Sequence, residues 1–131
     1  MIGADTNVLI RLFIREVPQT DMAGAFFAAR SPADPAYVSL VVMAEFAWVL
    51  KKKYKQSLDA IRSAIQSMLD SDDFVVEERD RVEWALSGYT RARMDFSDLL
   101  IVRSNEIAGA ARTVTFDTDA VKDVPGMELL K

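Results

Sequence analysis

The amino-acid sequence predicts an α/β fold, a mostly parallel sheet flanked by helices. Three features predict it. Short apolar or β-branched stretches recur at 1–4, 36–39, 74–76, 113–116 and 127–130; apolar runs of helical period lie between them; and Ser, Thr or Asp stands where most of those runs begin. Strands joined by helical crossovers run in the same direction, which makes the sheet parallel.

Met1-Ile2-Gly3-Ala4 stops at Asp5-Thr6-Asn7, residues that favour helix N-caps, and Val8 to Ile14 is nearly all apolar, so a strand passes into a helix. Thr20 and Asp21 begin a second helix through Arg30, ended by Ser31-Pro32-Ala33-Asp34-Pro35. Ala36 to Ser39 is a brief strand. The apolar run from Leu40 to Leu50 is too long for a usual strand and closes on Lys51, Lys52, Lys53 and Lys55, which complement a helix C-terminus; it is read as a helix. Ser57 caps the next helix, in which Leu58, Ile61, Ile65 and Met68 recur at spacings of three and four, and Phe74-Val75-Val76 is a short buried strand. Asp80 starts a helix with Val82, Ala85, Leu86 and Tyr89 on one face. Phe96 to Ala108 forms another, with Gly109 as its C-cap. Thr113 to Phe116 and Met127 to Leu130 are the last strands.

The length of 131 residues fits one domain, and no repeat or low-complexity linker divides it. The chain has no Cys and no His. Ser-His-Asp and Cys-His nucleophiles, Cys/His zinc sites and imidazole bases are thereby excluded, and any metal must be held by oxygen, the ligand of Mg²⁺, Mn²⁺ and Ca²⁺. No apolar stretch reads as a signal peptide or a membrane span, so a soluble, cytosolic protein is expected. Sixteen Lys and Arg against twenty Asp and Glu leave a net charge of −4, which counts against general nucleic-acid binding.

Asp5, Asp117 and the pair Asp95 and Asp98 each fall where an apolar element ends and a helix begins. In a parallel sheet the carboxyl ends of the strands form the ligand crevice, and Asp5 and Asp117 converge there if their strands are neighbours. Helix capping is the better explanation of any one of these acids taken alone, and Asp95 with Asp98 has the spacing of a capping box. Glu45 is the only charge between Leu40 and Leu50, with Val41, Val42, Trp48 and Val49 as its helical neighbours. Buried there it would need a cation or hydrogen bonds to offset its desolvation; the alternative is a narrow solvent stripe shared with Lys52. Four carboxylates in one cleft cannot all stay ionised without a cation, and a divalent ion would resolve their repulsion.

Asp5-Thr6-Asn7-Val8-Leu9-Ile10-Arg11 resembles the opening signature of PIN domains, particularly VapC-like toxins of bacterial toxin–antitoxin pairs. Three further blocks agree in order: Ser39 to Leu50 with Glu45, Asp95-Phe96-Ser97-Asp98-Leu99-Leu100-Ile101, and Val114-Thr115-Phe116-Asp117. The resemblance implies a single PIN domain over 1–131, a three-layer α/β fold with a mostly parallel central sheet, and a metal-binding catalytic quartet of Asp5, Glu45, Asp98 and Asp117. Asn7 and Thr115 match supporting polar residues, with Asp95 and Asp119 as further supporting candidates. The implied activity is Mg²⁺- or Mn²⁺-dependent endoribonuclease action in the bacterial cytoplasm, by a homodimer that a small antitoxin protein blocks.

Arg11 with Arg15, Arg91 with Arg93, and Arg112 are candidates to reach RNA phosphates beside the cleft, the alternative being solvated surface, whereas Lys51 to Lys55 are explained by the helix end they close. Leu9, Leu12, Phe13, Phe26 and Phe27 serve the core or offer a face to a partner. Setting the quartet aside leaves 16 acids against 16 bases, which assigns the acidic excess to one cleft. Two competing readings are an Asp-nucleophile phosphotransfer protein, which fits poorly with Asn7 and Asp117 at their positions, and a PIN fold kept only for interaction, in which eroded acids are expected.

Overall fold

A computed structural model describes residues 1–131. Twelve elements follow in chain order: β1 Ile2–Gly3, α1 Thr6–Ile10, α2 Gln19–Ala28, β2 Ala36–Val38, α3 Leu40–Lys52, α4 Leu58–Asp70, β3 Phe74–Val76, α5 Arg79–Gly88, α6 Phe96–Ile107, β4 Thr113–Thr115, α7 Thr118–Asp123 and β5 Met127–Leu129. The α/β architecture and every strand position agree with the sequence reading.

All strand pairings are parallel, in two short sheets: β1-β2-β3, with Ile2 opposite Ala36 and Ala36 opposite Phe74, and β4-β5, with Thr113 opposite Met127. β1 and β4 are not paired. β1 has only two residues, and the amides of Ile2 and Ala4 are spent on the carbonyls of Pro35, just before β2, and Tyr37 within it. The condition under which Asp5 and Asp117 would converge as ends of neighbouring strands is therefore not met.

Caps set the helix starts. Asp5 Oδ1 accepts from the Thr6 amide at 2.7 Å, Ser39 Oγ from Val42, and Ser57 Oγ from Ala60. The α3 start has a second cap from a distant residue: Glu77, just past β3, accepts from the Leu40 amide at 2.7 Å. The first helix is shorter than the apolar run to Ile14 implies, since α1 ends at Ile10 and the chain turns. α5 starts without a side-chain cap, its N-cap Glu78 lying in the left-handed region at φ 50°.

α3 buries Met43, Phe46, Ala47 and Leu50, the spacing of one helical face. That face meets α1, α4 and α6, and α6 also packs on α5. Phe46 meets Phe13 edge-on and Tyr89 meets Phe96 in the same way, while Phe27 stacks on Phe74. Arg62 ties α4 to α5 by donating to the carbonyls of Leu86 and Tyr89. Gly126, at φ +95°, turns the chain into β5; a Cβ there would meet Val102 Cγ1 at 2.8 Å, so both backbone and packing require glycine. No helix is long and apolar enough to cross a membrane.

Candidate functional site

The start of α6 and the turn from β4 into α7 bring acids together. Asp95, Asp98, Asp117 and Asp119 line one small cavity, with Arg93 and Asp123 on it as well. Asp117 is held by its local backbone. Its Oδ1 accepts from the amides of Asp119 at 2.9 Å and Ala120 at 3.1 Å, and its own amide donates to Thr115 Oγ1 at 3.0 Å. Capping α7 therefore occupies one carboxylate oxygen and fixes where the other can point. Thr115 supports the acid two residues on, and Asp119 is exposed at the cavity.

Asp98, in the first turn of α6, is partly buried. Burial raises its carboxyl above the usual range, and the charges of Asp95 and Asp117 raise it further, while Lys51 and Lys52 act in the opposite sense. The cavity is thus short of positive charge at Asp98.

Asp95 does not cap α6, and the capping box is not made. Its side chain turns instead to Lys51 Nζ at 2.8 Å and Lys52 Nζ at 3.6 Å, and Lys51 also donates to the carbonyl of Met94. The end of α3 is thus tied to the start of α6. Local sequence explains Lys51 and Lys52 as a helix end alone; the partner that gives them a second role lies more than 40 residues further along the chain.

The other two acids of the quartet, Asp5 and Glu45, do not line that cavity. Asp5 and Asn7 line a groove of about 510 Å³ between β1, α1 and α2, with Val8, Arg11, Met22 and Phe26. Glu45 is exposed on α3, on a stripe with Val41, Trp48 and Lys52, so the apolar neighbours read from the sequence do not desolvate it. Val41 and Trp48 are themselves exposed, which is why the narrow stripe exists. Nowhere do three or more acidic side chains stand close enough together to hold a metal ion.

The expected phosphate contacts also change. Arg11 is 9% exposed and committed: Nη2 donates to the Tyr54 hydroxyl at 2.7 Å and lies 2.9 Å from Glu16 Oε2, while Nε is buried without a partner. Arg112 pairs with Glu128 at 3.3 Å, and Arg91 and Arg93 turn to Asp123. The sequence reading missed Asp123. Its signal was a carboxylate closing a helix, where the macrodipole disfavours it unless a cation answers. Among the apolar residues offered to a partner, Leu9 and Phe27 are core, Leu12 and Phe13 are partly open, and Phe26 lines the groove beside Asp5.

The donor chemistry suits a hard cation, since carboxylates are the anionic donors on the cavity, the chain has no His or Cys, and Asp98 and Asp117 repel one another across it. Mg²⁺ keeps several waters and is commonly bound through one or two carboxylates, so this pair fits it without a closed cage. No curated protein matches the chain. The family model described as PIN domain matches residues 3–126, nearly the whole length, and the protein belongs to the PIN domain family.

Proposed function

We propose that the protein is a VapC-like toxin: a Mg²⁺- or Mn²⁺-dependent endoribonuclease that hydrolyses RNA phosphodiester bonds and is held in check by a small antitoxin protein in the bacterial cytoplasm. PIN domains are generally metal-dependent nucleases. The observation that carries the reading here is Asp98, partly buried and facing Asp95 and Asp117 with too little positive charge around it.

In this reading Asp98 and Asp117 hold the cation, and Asp5 and Glu45 are assigned to the same centre as its remaining acids. A divalent ion supplies charge against the phosphodiester and lowers the pKa of water toward neutrality. The chain's own contributions are positional. The amides of Asp119 and Ala120 fix the rotamer of Asp117, Thr115 supports its backbone, and Lys51 and Lys52 keep Asp95 from adding a full charge to the cavity. With no imidazole in the chain, a base cannot come from His. The groove beside Asp5, lined by Val8, Met22 and Phe26, suits apolar side chains of an antitoxin, and a homodimer completes the proposed assembly.

The test is cleavage of single-stranded RNA by purified, partner-free protein. Wild type should cleave with Mg²⁺ or Mn²⁺ and stop with chelator, and Asp98→Asn and Asp117→Asn should each lose about 100-fold or more. Equal cleavage by wild type and both variants, or no cleavage by any, overturns the assignment.

A further inference from the structure

Arg91 and Arg93, between α5 and α6, converge on a single atom. Arg93 reaches Asp123 Oδ1 through Nη2 at 2.8 Å and Nε at 2.9 Å, and Arg91 Nη1 stands 3.7 Å from the same oxygen. The exposures are lopsided. The Asp123 side chain is 4% exposed, whereas those of Arg91 and Arg93 are 62% and 65% exposed.

A carboxylate so nearly removed from water needs a counter-charge, and one guanidinium supplies it. Two cations against one anion leave a surplus positive charge directed outward. A guanidinium carries five N–H donors in a planar fork, and Arg93 spends only two of them on Asp123. The anchor is buried, the free donors are open, and Arg93 itself lines the cavity that holds Asp98 and Asp117.

A polyanion approaching a cavity of acids is repelled unless cations meet it at the rim. Other candidate cations are already committed: Lys51 and Lys52 to Asp95, Arg11 to Glu16 and Tyr54, Arg112 to Glu128. Arg93 on the cavity, and Arg91 beside it at the same Asp123 oxygen, have charge and donors to spare. We propose that they position single-stranded RNA by binding backbone phosphates beside the one delivered to the acidic cavity, with Asp123 as the buried anchor that fixes both guanidiniums. The substrate class rests on the proposed nuclease function; the clamp itself rests on this geometry.

The test is binding of a fluorescent single-stranded RNA oligonucleotide, followed by anisotropy over a range of salt, with chelator present so that the strand stays intact. The Arg91→Ala/Arg93→Ala protein should bind about tenfold or more weakly, with the slope of log K against log salt reduced by about 0.7 for each phosphate that is no longer neutralised. Arg91→Lys/Arg93→Lys should retain the slope and lose part of the affinity, because charge survives and the fork does not. Asp123→Asn should weaken binding although no cation is removed. In cleavage assays with metal the double alanine variant should raise KM while leaving kcat within a few-fold. A double variant that matches wild type in affinity, slope and KM overturns the proposal, as does a wild type that does not bind RNA. A wild type that binds but never cleaves overturns the nuclease assignment and leaves the clamp standing. Arg91→Ala alone, which removes no hydrogen bond, gives the same readout if the double variant fails to fold.

Discussion

Lys51 Nζ stands 2.8 Å from Asp95 Oδ1, and both side chains are largely withdrawn from solvent, so the last turn of α3 is fastened to the residue that precedes α6. Lys52 reaches the same oxygen at 3.6 Å from a more exposed position. Exposed ion pairs contribute about 0 to 1 kcal/mol, and partly buried, well-aligned ones more. A double-mutant cycle with Lys51→Ala and Asp95→Ala, read by denaturant unfolding, should give a coupling of about 1 to 2 kcal/mol, against about 0.5 kcal/mol or less for Lys52→Ala with Asp95→Ala. Equal couplings would show that burial does not distinguish the two lysines.

Asp98 gives a pH dependence of definite sign. Its carboxyl is raised in the folded protein by burial and by Asp95 and Asp117, above the ordinary aspartate value of 3.8 that stands for the unfolded chain. Folding is therefore penalised by its ionisation. The penalty is absent below about pH 4, where both states are protonated, grows as pH rises past the unfolded value, and is complete above the folded one. Asp98→Asn should accordingly raise the melting temperature of the metal-free protein at neutral pH, with the gain shrinking as pH is lowered toward 4. Loss of stability at every pH would instead mean that the carboxylate is held by bonds the asparagine cannot make.

Glu45 separates stability from activity. It is exposed, so Glu45→Gln should change metal-free stability by no more than about 0.5 kcal/mol. The same variant should cleave RNA more slowly if Glu45 belongs to the metal centre. A marked fall in melting temperature would give it a structural task.

What the sequence makes legible is local. The caps at Asp5, Ser57 and Asp117 are made by residues next to the helices they start and are where the sequence puts them, whereas Ser39, read as the end of a strand, also caps α3. The run from Leu40 to Leu50 is legible as a helix, but not the solvent exposure of Glu45, because Val41 and Trp48 are apolar residues on the open face and disguise it as a buried one. Lys51, Arg11 and Arg93 are hidden for another reason. Their partners Asp95, Tyr54 and Asp123 lie 44, 43 and 30 residues away, and nothing in local spacing foretells a pairing that only tertiary packing creates. The split of the strands into two sheets is equally hidden, since strands of two and three residues carry no signal of which neighbour they choose.

The central claim is that Asp98 and Asp117 hold the divalent ion, and crystals grown with Mn²⁺ test it most directly. An anomalous-difference map should show a peak within coordination distance of a carboxylate oxygen of each, absent from crystals of Asp98→Asn. A peak at Asp5 or Glu45 with none at Asp98 and Asp117, or a peak at the pair that persists in Asp98→Asn, would contradict the account.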